Sequence, residues 1–247
     1  MLDFQTDLIF PVHAVPKPGP LPSGAERLSL ETWDGATLHG VHIPPDESDG
    51  SKTLLLVFGG NGWNAQDAAE FVHELFPQND VVAFHYRGYP PSTGSPSGEK
   101  LIADAPLVYD AAVERVKPSR VFAIGFSIGT GVAAQLSAVR KPDGVLLVTP
   151  FDSLKALAQS MFPWLPIGSF FNHQIDAAGA LSRSRIPVGI IAAGRDEIVP
   201  AARTEALRRV VKNLVYDRTV SAAGHNDIYA RSEFHAAMRD ALERLKA

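Results

Sequence analysis

The chain has 247 residues, enough for one ordinary α/β domain with a substantial core. Hydrophobic residues make up 45% and charged residues 20%, and the net charge of −4 gives no reason to expect a nucleic acid or an anionic membrane surface as partner. There is no cysteine, which removes disulfides, thiol catalysis, cysteine-based zinc sites and S-palmitoylation together. No apolar run approaches the roughly 18 residues that span a bilayer. The opening MLDFQTDLIF carries Asp3 and Asp7 and no basic residue, unlike a signal peptide. Cytoplasm is the expected compartment.

Residues 1–24 contain Pro11, Pro16, Pro18, Pro20 and Pro22 and read as an extended arm rather than a packed element. Residues 25–247 read as a single domain. Arg27–Trp33 and Thr37–Ile43 alternate as strands around the hairpin signal Asp34-Gly35. Thr53–Phe58 (TLLLVF) is a buried strand running into Gly59-Gly60-Asn61-Gly62-Trp63-Asn64. Ala65–Phe76 is a helix with Phe71, Val72, Leu75 and Phe76 on its apolar side. Val81–Phe84 is a strand that leads into His85-Tyr86-Arg87-Gly88-Tyr89. Glu99–Lys117 is a helix that Pro106 should kink or break.

Val121–Ile124 is the next strand. It passes through Gly125-Phe126-Ser127-Ile128-Gly129 into an Ala-rich helix, Val132–Val139. Strand, G-x-S-x-G, helix is the context of a nucleophile elbow. A serine on so sharp a turn needs glycine on both sides, because the chain there passes too close to its neighbours for a side chain. The gain is an exposed hydroxyl above a helix N-terminus, where partial positive charge favours a developing oxyanion.

Gly144–Thr149 is a strand ending at Pro150-Phe151-Asp152-Ser153. Ser153–Arg185 reads as irregular and aromatic, with a lid-like character over about 155–185. Val188–Ala193 is a strand ending in Gly194-Arg195-Asp196-Glu197, followed by a helix over Ala201–Lys212. Leu214–Val220 is the last strand, before Gly224-His225-Asn226-Asp227 and a closing helix over Ile228–Leu245. A hairpin followed by alternating strands and helices implies a mostly parallel sheet with helices on both faces. Function then collects at the carboxyl ends of the strands.

Ser127, Asp196 and His225 each fall just after a strand, in the order nucleophile, acid, base. Serine is a poor nucleophile until a base takes its proton. Histidine has an ordinary pKa of about 6.5, which suits that task. An aspartate would hold the imidazole in one tautomer and stabilise its cation. Asp152 also follows a strand and is the rival acid. The two oxyanion N–H groups are expected from Ile128, the residue after the nucleophile, and from Asn61.

The chain resembles a serine hydrolase of the α/β-hydrolase superfamily, close to the Bem46-like group. The resemblance rests on LLLVFGGNGWN, Tyr86-Arg87-Gly88-Tyr89 with Ser92 and Gly94, and Gly125-Phe126-Ser127-Ile128-Gly129. It rests further on Pro150-Phe151-Asp152-Ser153-Leu154, Pro163-Trp164-Leu165-Pro166, Asp196-Glu197-Ile198-Val199-Pro200 and Gly224-His225-Asn226-Asp227. It covers roughly Leu8 to the C-terminus and implies the α/β-hydrolase fold, with a small lid-like insertion and the same triad. Two residues depart from the group's pattern: Gly59 stands where a histidine is usual, and His85 where an aspartate is usual. The membrane-anchoring N-terminus and cysteine cluster of many eukaryotic members are not present, against a membrane-bound depalmitoylase role.

The activity expected is hydrolysis of a small-molecule carboxylic ester or thioester through an acyl-serine, with no metal or organic cofactor. An aminopeptidase or amidase, or a non-catalytic binding protein, are the alternatives. Phe162, Trp164, Phe170 and Phe171 are candidates for an apolar acyl pocket.

Overall fold

In the computed structural model, residues 6, 7, 9–47, 50, 52–162, 171 and 173–247 are described. Eight strands form one sheet in the order β1-β2-β4-β3-β5-β6-β7-β8. They are β1 (Glu26–Glu31), β2 (Thr37–Ile43), β3 (Thr53–Phe58), β4 (Asp80–Phe84), β5 (Arg120–Phe126), β6 (Gly144–Val148), β7 (Val188–Ala193) and β8 (Leu214–Val220). The β1–β2 and β2–β4 pairings are antiparallel and all others parallel.

The central strands are apolar beyond their first residues because both of their faces are covered. The pleat divides each strand between two cores. In β3, Leu54, Leu56 and Phe58 point to one layer, and Leu55 and Val57 to the other. β5 divides in the same way, with Val121 and Ala123 opposite Phe122, Ile124 and Phe126. The first layer holds α2 (Gly98–Val116), α3 (Ile128–Val139), α4 (Leu154–Met161), α5 (Ala177–Leu181) and α6 (Ala201–Arg208). The second holds α1 (Ala65–Leu75) and α7 (Ser232–Lys246). No helix among the described residues is long and apolar enough to cross a membrane.

Three expectations need correction. The N-terminal segment is not an unpacked arm: Phe10 is 1% exposed and stands edge-on to the His173 ring at 5.2 Å, and Val15 is buried. The prolines leave residues 15–24 free of helix and strand, yet two apolar side chains of the segment, Phe10 and Val15, are buried and pin it to the core. Pro106 does not break its helix, which runs on from Gly98 to Val116. The stretch from Ser153 to Arg185 is not wholly irregular. Ser153 caps α4 by accepting from the Ala156 N–H, Asp176 caps α5 by accepting from the Gly179 N–H, and the two capping residues pair as an antiparallel bridge. Helices of 8 and 5 residues are too short to show a helical period.

The loop after β4 is fixed by charge. Arg87 is 2% exposed and reaches Asp104 of α2 through Nε at 3.1 Å and Nη2 at 2.6 Å, and Asp34 of the β1–β2 turn through Nη1 at 2.6 Å. Removing one partner of a buried pair strands the other charge. Arg87→Ala should therefore lose about 3–5 kcal/mol of unfolding free energy in urea titrations. The hydrogen bond from Arg87, and then that from Thr32, pushes the Asp34 carboxyl from the ordinary 3.8 down to about 2. A depressed carboxyl stabilises the fold above its unfolded pKa and loses that contribution as pH falls through the folded value. Asp34→Asn should accordingly be less stable than wild type at pH 6, with the gap closing between pH 4 and 2.

Candidate active site

The site is built on the turn from β5 into α3. Gly125 and Gly129 are there because nothing larger fits. A Cβ on Gly125 would lie 2.5 Å from the Gly129 carbonyl oxygen, and one on Gly129 would lie 2.1 Å from the Phe58 carbonyl oxygen. Between them Ser127 takes φ 49° and ψ −116°, a region that L-residues rarely enter. The turn is held from outside and inside. The Ser127 N–H donates to the Val148 carbonyl at 2.9 Å, and the Ser127 carbonyl accepts from the Thr130 N–H and hydroxyl at 2.9 and 2.6 Å. The result is a hydroxyl lifted clear of the sheet at the N-terminus of α3.

β7 and β8 bring the two other residues. Asp196 follows β7, and its Oδ1 accepts from the Ile198 and Val199 N–H groups at 2.9 and 2.7 Å. That tight turn orients the carboxylate. His225 follows β8, and its N–H donates to Glu197 Oε2 at 3.2 Å. The imidazole lies between the other two: Nδ1 is 2.8 Å from Asp196 Oδ2, and Nε2 is 2.9 Å from Ser127 Oγ. A carboxylate only accepts, so the proton of the neutral ring belongs on Nδ1, and Nε2 is left to accept from the serine hydroxyl. Both side chains are buried, at 7% and 6% exposure.

Asp152, the rival acid, is engaged elsewhere: its Oδ2 accepts from Arg203 Nη1 at 3.2 Å. His85 is buried, and its Nδ1 accepts from the Ala65 N–H that opens α1. Burial, with the nearby His39 and Arg27 charges, pushes it down to about 4. It is a neutral capping group.

Two cavities meet at Ser127. The larger, about 390 Å³, is lined by Gly60, Asn61, Gly62, Trp63, Ser127, Ile198, His225, Asn226 and Tyr229. Burial raises the Tyr229 hydroxyl to about 12, against the Thr149 hydroxyl and with the Asp196 charge. The smaller, about 100 Å³, is apolar and lined by Ile9, Phe151, Leu154, Leu157, Ala158, Met161, Phe162 and Ile198, with Asn61, Ser127 and Ile128 at its mouth. Of the residues expected to form a pocket, Phe162 lines this cavity. Phe171 does not; it is buried against the core with its ring 5.9 Å from His173. Trp164 and Phe170, with the Pro163–Pro166 motif, lie outside the described residues. The sequence reading missed Leu154 and Leu157. Their spacing after the capping Ser153 was the available signal. Ile9 and Phe151 carried none, because only the fold brings them there.

Asn61 and Ile128 both line the smaller cavity together with the serine. Among the described residues neither backbone N–H donates a hydrogen bond. The described residues hold no group of three or more His, Asp or Glu side chains able to bind a metal ion.

The chain is 33% identical to an uncharacterised protein of Mycobacterium tuberculosis over 221 residues, 86% of this chain and 78% of that one. It is 29% identical to protein bem46 of Schizosaccharomyces pombe over 213 residues, 80% and 71% of the two chains. Among solved structures it is similar to an esterase of Pyrococcus furiosus, with a TM-score of 0.72 and 21% identity over 94% of this chain and 97% of that one. That last likeness is one of fold. No family model matches the chain.

The strain at Ser127 gives a stability prediction. Glycine is usually less stable than alanine at an ordered position by about 0.5–1 kcal/mol. At a positive φ the order reverses, because only alanine carries the Cβ that this backbone disfavours. Ser127→Gly should exceed Ser127→Ala by about 1 kcal/mol, a Tm difference of roughly 2–4 °C by scanning calorimetry for a chain of this size.

Proposed function

The chain belongs to the Bem46-like group of the α/β-hydrolases, and on that footing we propose that it is a serine hydrolase that cleaves carboxylic esters or thioesters through an acyl-serine intermediate. The observation that carries this reading is the continuous hydrogen-bonded line from Ser127 Oγ through the His225 ring to Asp196. The esterase named for the similar Pyrococcus furiosus structure agrees with it.

In the proposed reaction Ser127 Oγ attacks the substrate carbonyl while His225 Nε2 takes its proton. Asp196 accepts from Nδ1–H throughout and stabilises the imidazolium. The oxyanion is received by the N–H groups of Ile128 and Asn61, at the positive end of α3. His225 then protonates the leaving alcohol or thiol. Water, deprotonated by the same nitrogen, attacks the acyl-serine, and His225 returns that proton to Ser127 Oγ as the acid is released. The acyl group is assigned to the apolar cavity beside α4. The leaving group is assigned to the larger trough lined by Trp63 and Tyr229, which of the two carries His225 in its wall.

A fluorophosphonate probe together with p-nitrophenyl acetate and octanoate tests the reading. Wild type should label and turn over, and Ser127→Ala should do neither. Asp196→Asn should lower kcat by about 10²–10⁴, while Asp152→Asn stays within a few-fold. A wild type inert to probe and esters, or one preferring aminoacyl p-nitroanilides, overturns the assignment. Leu157→Trp should raise KM for octanoate more than for acetate, and equal effects would remove the acyl chain from that cavity.

A further inference from the structure

The Asn61 donor sits in a tight turn between two glycines. Gly60 precedes it, Gly62 follows at φ +74°, and the residue itself is exposed. Glycine loses more freedom on ordering than any other residue. An oxyanion donor is effective only if it is aimed before the charge develops. A turn closed by the Trp63 N–H on the Gly60 carbonyl at 3.2 Å gives the loop its local course, but burial adds nothing at the exposed Asn61.

Its side chain is held at both ends instead. Asn61 Nδ2–H donates to the Ile9 carbonyl at 2.5 Å, and the Tyr89 hydroxyl donates to Asn61 Oδ1. Both partners are fixed. Tyr89 is 1% exposed and packs at 5.7 Å on Tyr86, whose hydroxyl donates to the Gly59 carbonyl at 2.8 Å. Ile9 is followed by Phe10, 1% exposed and pinned against His173. Ile9 also forms part of the apolar cavity wall. One backbone carbonyl thus joins the N-terminal segment to the loop that carries the donor.

We propose that the Ile9 carbonyl and the Tyr89 hydroxyl clamp the Asn61 side chain, so that the Asn61 backbone N–H is held at the oxyanion position and the N-terminal segment becomes a working part of the active site. The proposal rests on the serine-hydrolase reading above. Tyr89 and Phe10 act as positioning residues, through Asn61 and through the segment. Because the oxyanion exists only beyond the ground state, loosening the clamp lowers kcat and leaves KM nearly unchanged.

The test measures kcat and KM for p-nitrophenyl acetate, fluorophosphonate labelling and Tm in wild type, Tyr89→Phe, Asn61→Ala, the double variant and Phe10→Leu. Tyr89→Phe keeps the buried ring and removes only the hydroxyl. Its kcat should fall about tenfold, against the 10²–10³ typical of losing a whole donor, with KM within twofold. Asn61→Ala should lose at least as much, and the double variant less than the product of the two single losses, since the Tyr89–Asn61 hydrogen bond is common to both. Phe10→Leu should lower kcat several-fold. Labelling by wild type with kcat of Tyr89→Phe and Asn61→Ala within twofold of it, or losses confined to KM or Tm, would reduce the clamp to a structural contact and overturn the proposal alone. A wild type that neither labels nor turns over overturns the serine-hydrolase reading, and the clamp with it.

Discussion

The close approach of three chain segments around Gly125 and Gly129 governs the rest of the molecule. With the Phe58 carbonyl oxygen 2.1 Å from where a Gly129 Cβ would be, the ends of β3 and β5 and the start of α3 are locked in one relation. That contact forces the turn at Ser127 into a positive φ. It also sets the loop after β3 against the serine: a Cβ on Gly60 would lie 3.7 Å from the Ser127 Cβ. A strained residue persists only where its surroundings over-determine it. Here the Val148 carbonyl, the Thr130 hydroxyl and the buried helix α3 do so.

Parallel order does the remaining positioning. Strands running the same way deliver their following loops to one edge. β7 and β8 are neighbours, so the turns carrying Asp196 and His225 adjoin without any long connection. The same logic explains Asp152. It follows β6, one strand nearer to Ser127, yet its carboxylate is turned to Arg203 of α6. Strand order alone leaves either aspartate within reach. The choice is made locally, by the Ile198 and Val199 N–H groups that orient Asp196 and by the guanidinium that occupies Asp152.

The sheet and the meeting of Ser127, His225 and Asp196 were legible because each rests on a local rule. β2, β3, β7 and β8 begin and end where apolar runs and turn residues place them, and G-x-S-x-G declares its own sterics. What could not be read was contact between distant segments. Proline predicts an irregular N-terminal segment, and it is irregular. Nothing in Ile9 or Phe10 announces that one meets Asn61 and the other His173, 163 positions further along. α4 and α5 were missed for a different reason. Their lengths hide periodicity, and the aromatic residues around them drew the reading toward a lid, although Ser153 and Asp176 were already present as caps.

The two departures from the group's motifs have opposite structural outcomes. His85, in place of an aspartate, is absorbed: burial keeps it neutral and its Nδ1 takes an otherwise unsatisfied N–H at the start of α1. A carboxylate there would also accept that hydrogen bond, but as a charge beneath the sheet edge it would need a partner. Gly59, in place of a histidine, removes a side chain from a loop already rich in glycine. The loop is steadied instead by two tyrosines of the neighbouring turn and by main chain from the N-terminal segment: Tyr86 on the Gly59 carbonyl, Tyr89 and Ile9 on the Asn61 amide. Beyond its own Gly60–Trp63 turn, the order of that loop therefore comes from outside it. Buried aromatic hydroxyls make such restraints rigid, because a ring held by packing has little freedom left to lose on forming the hydrogen bond.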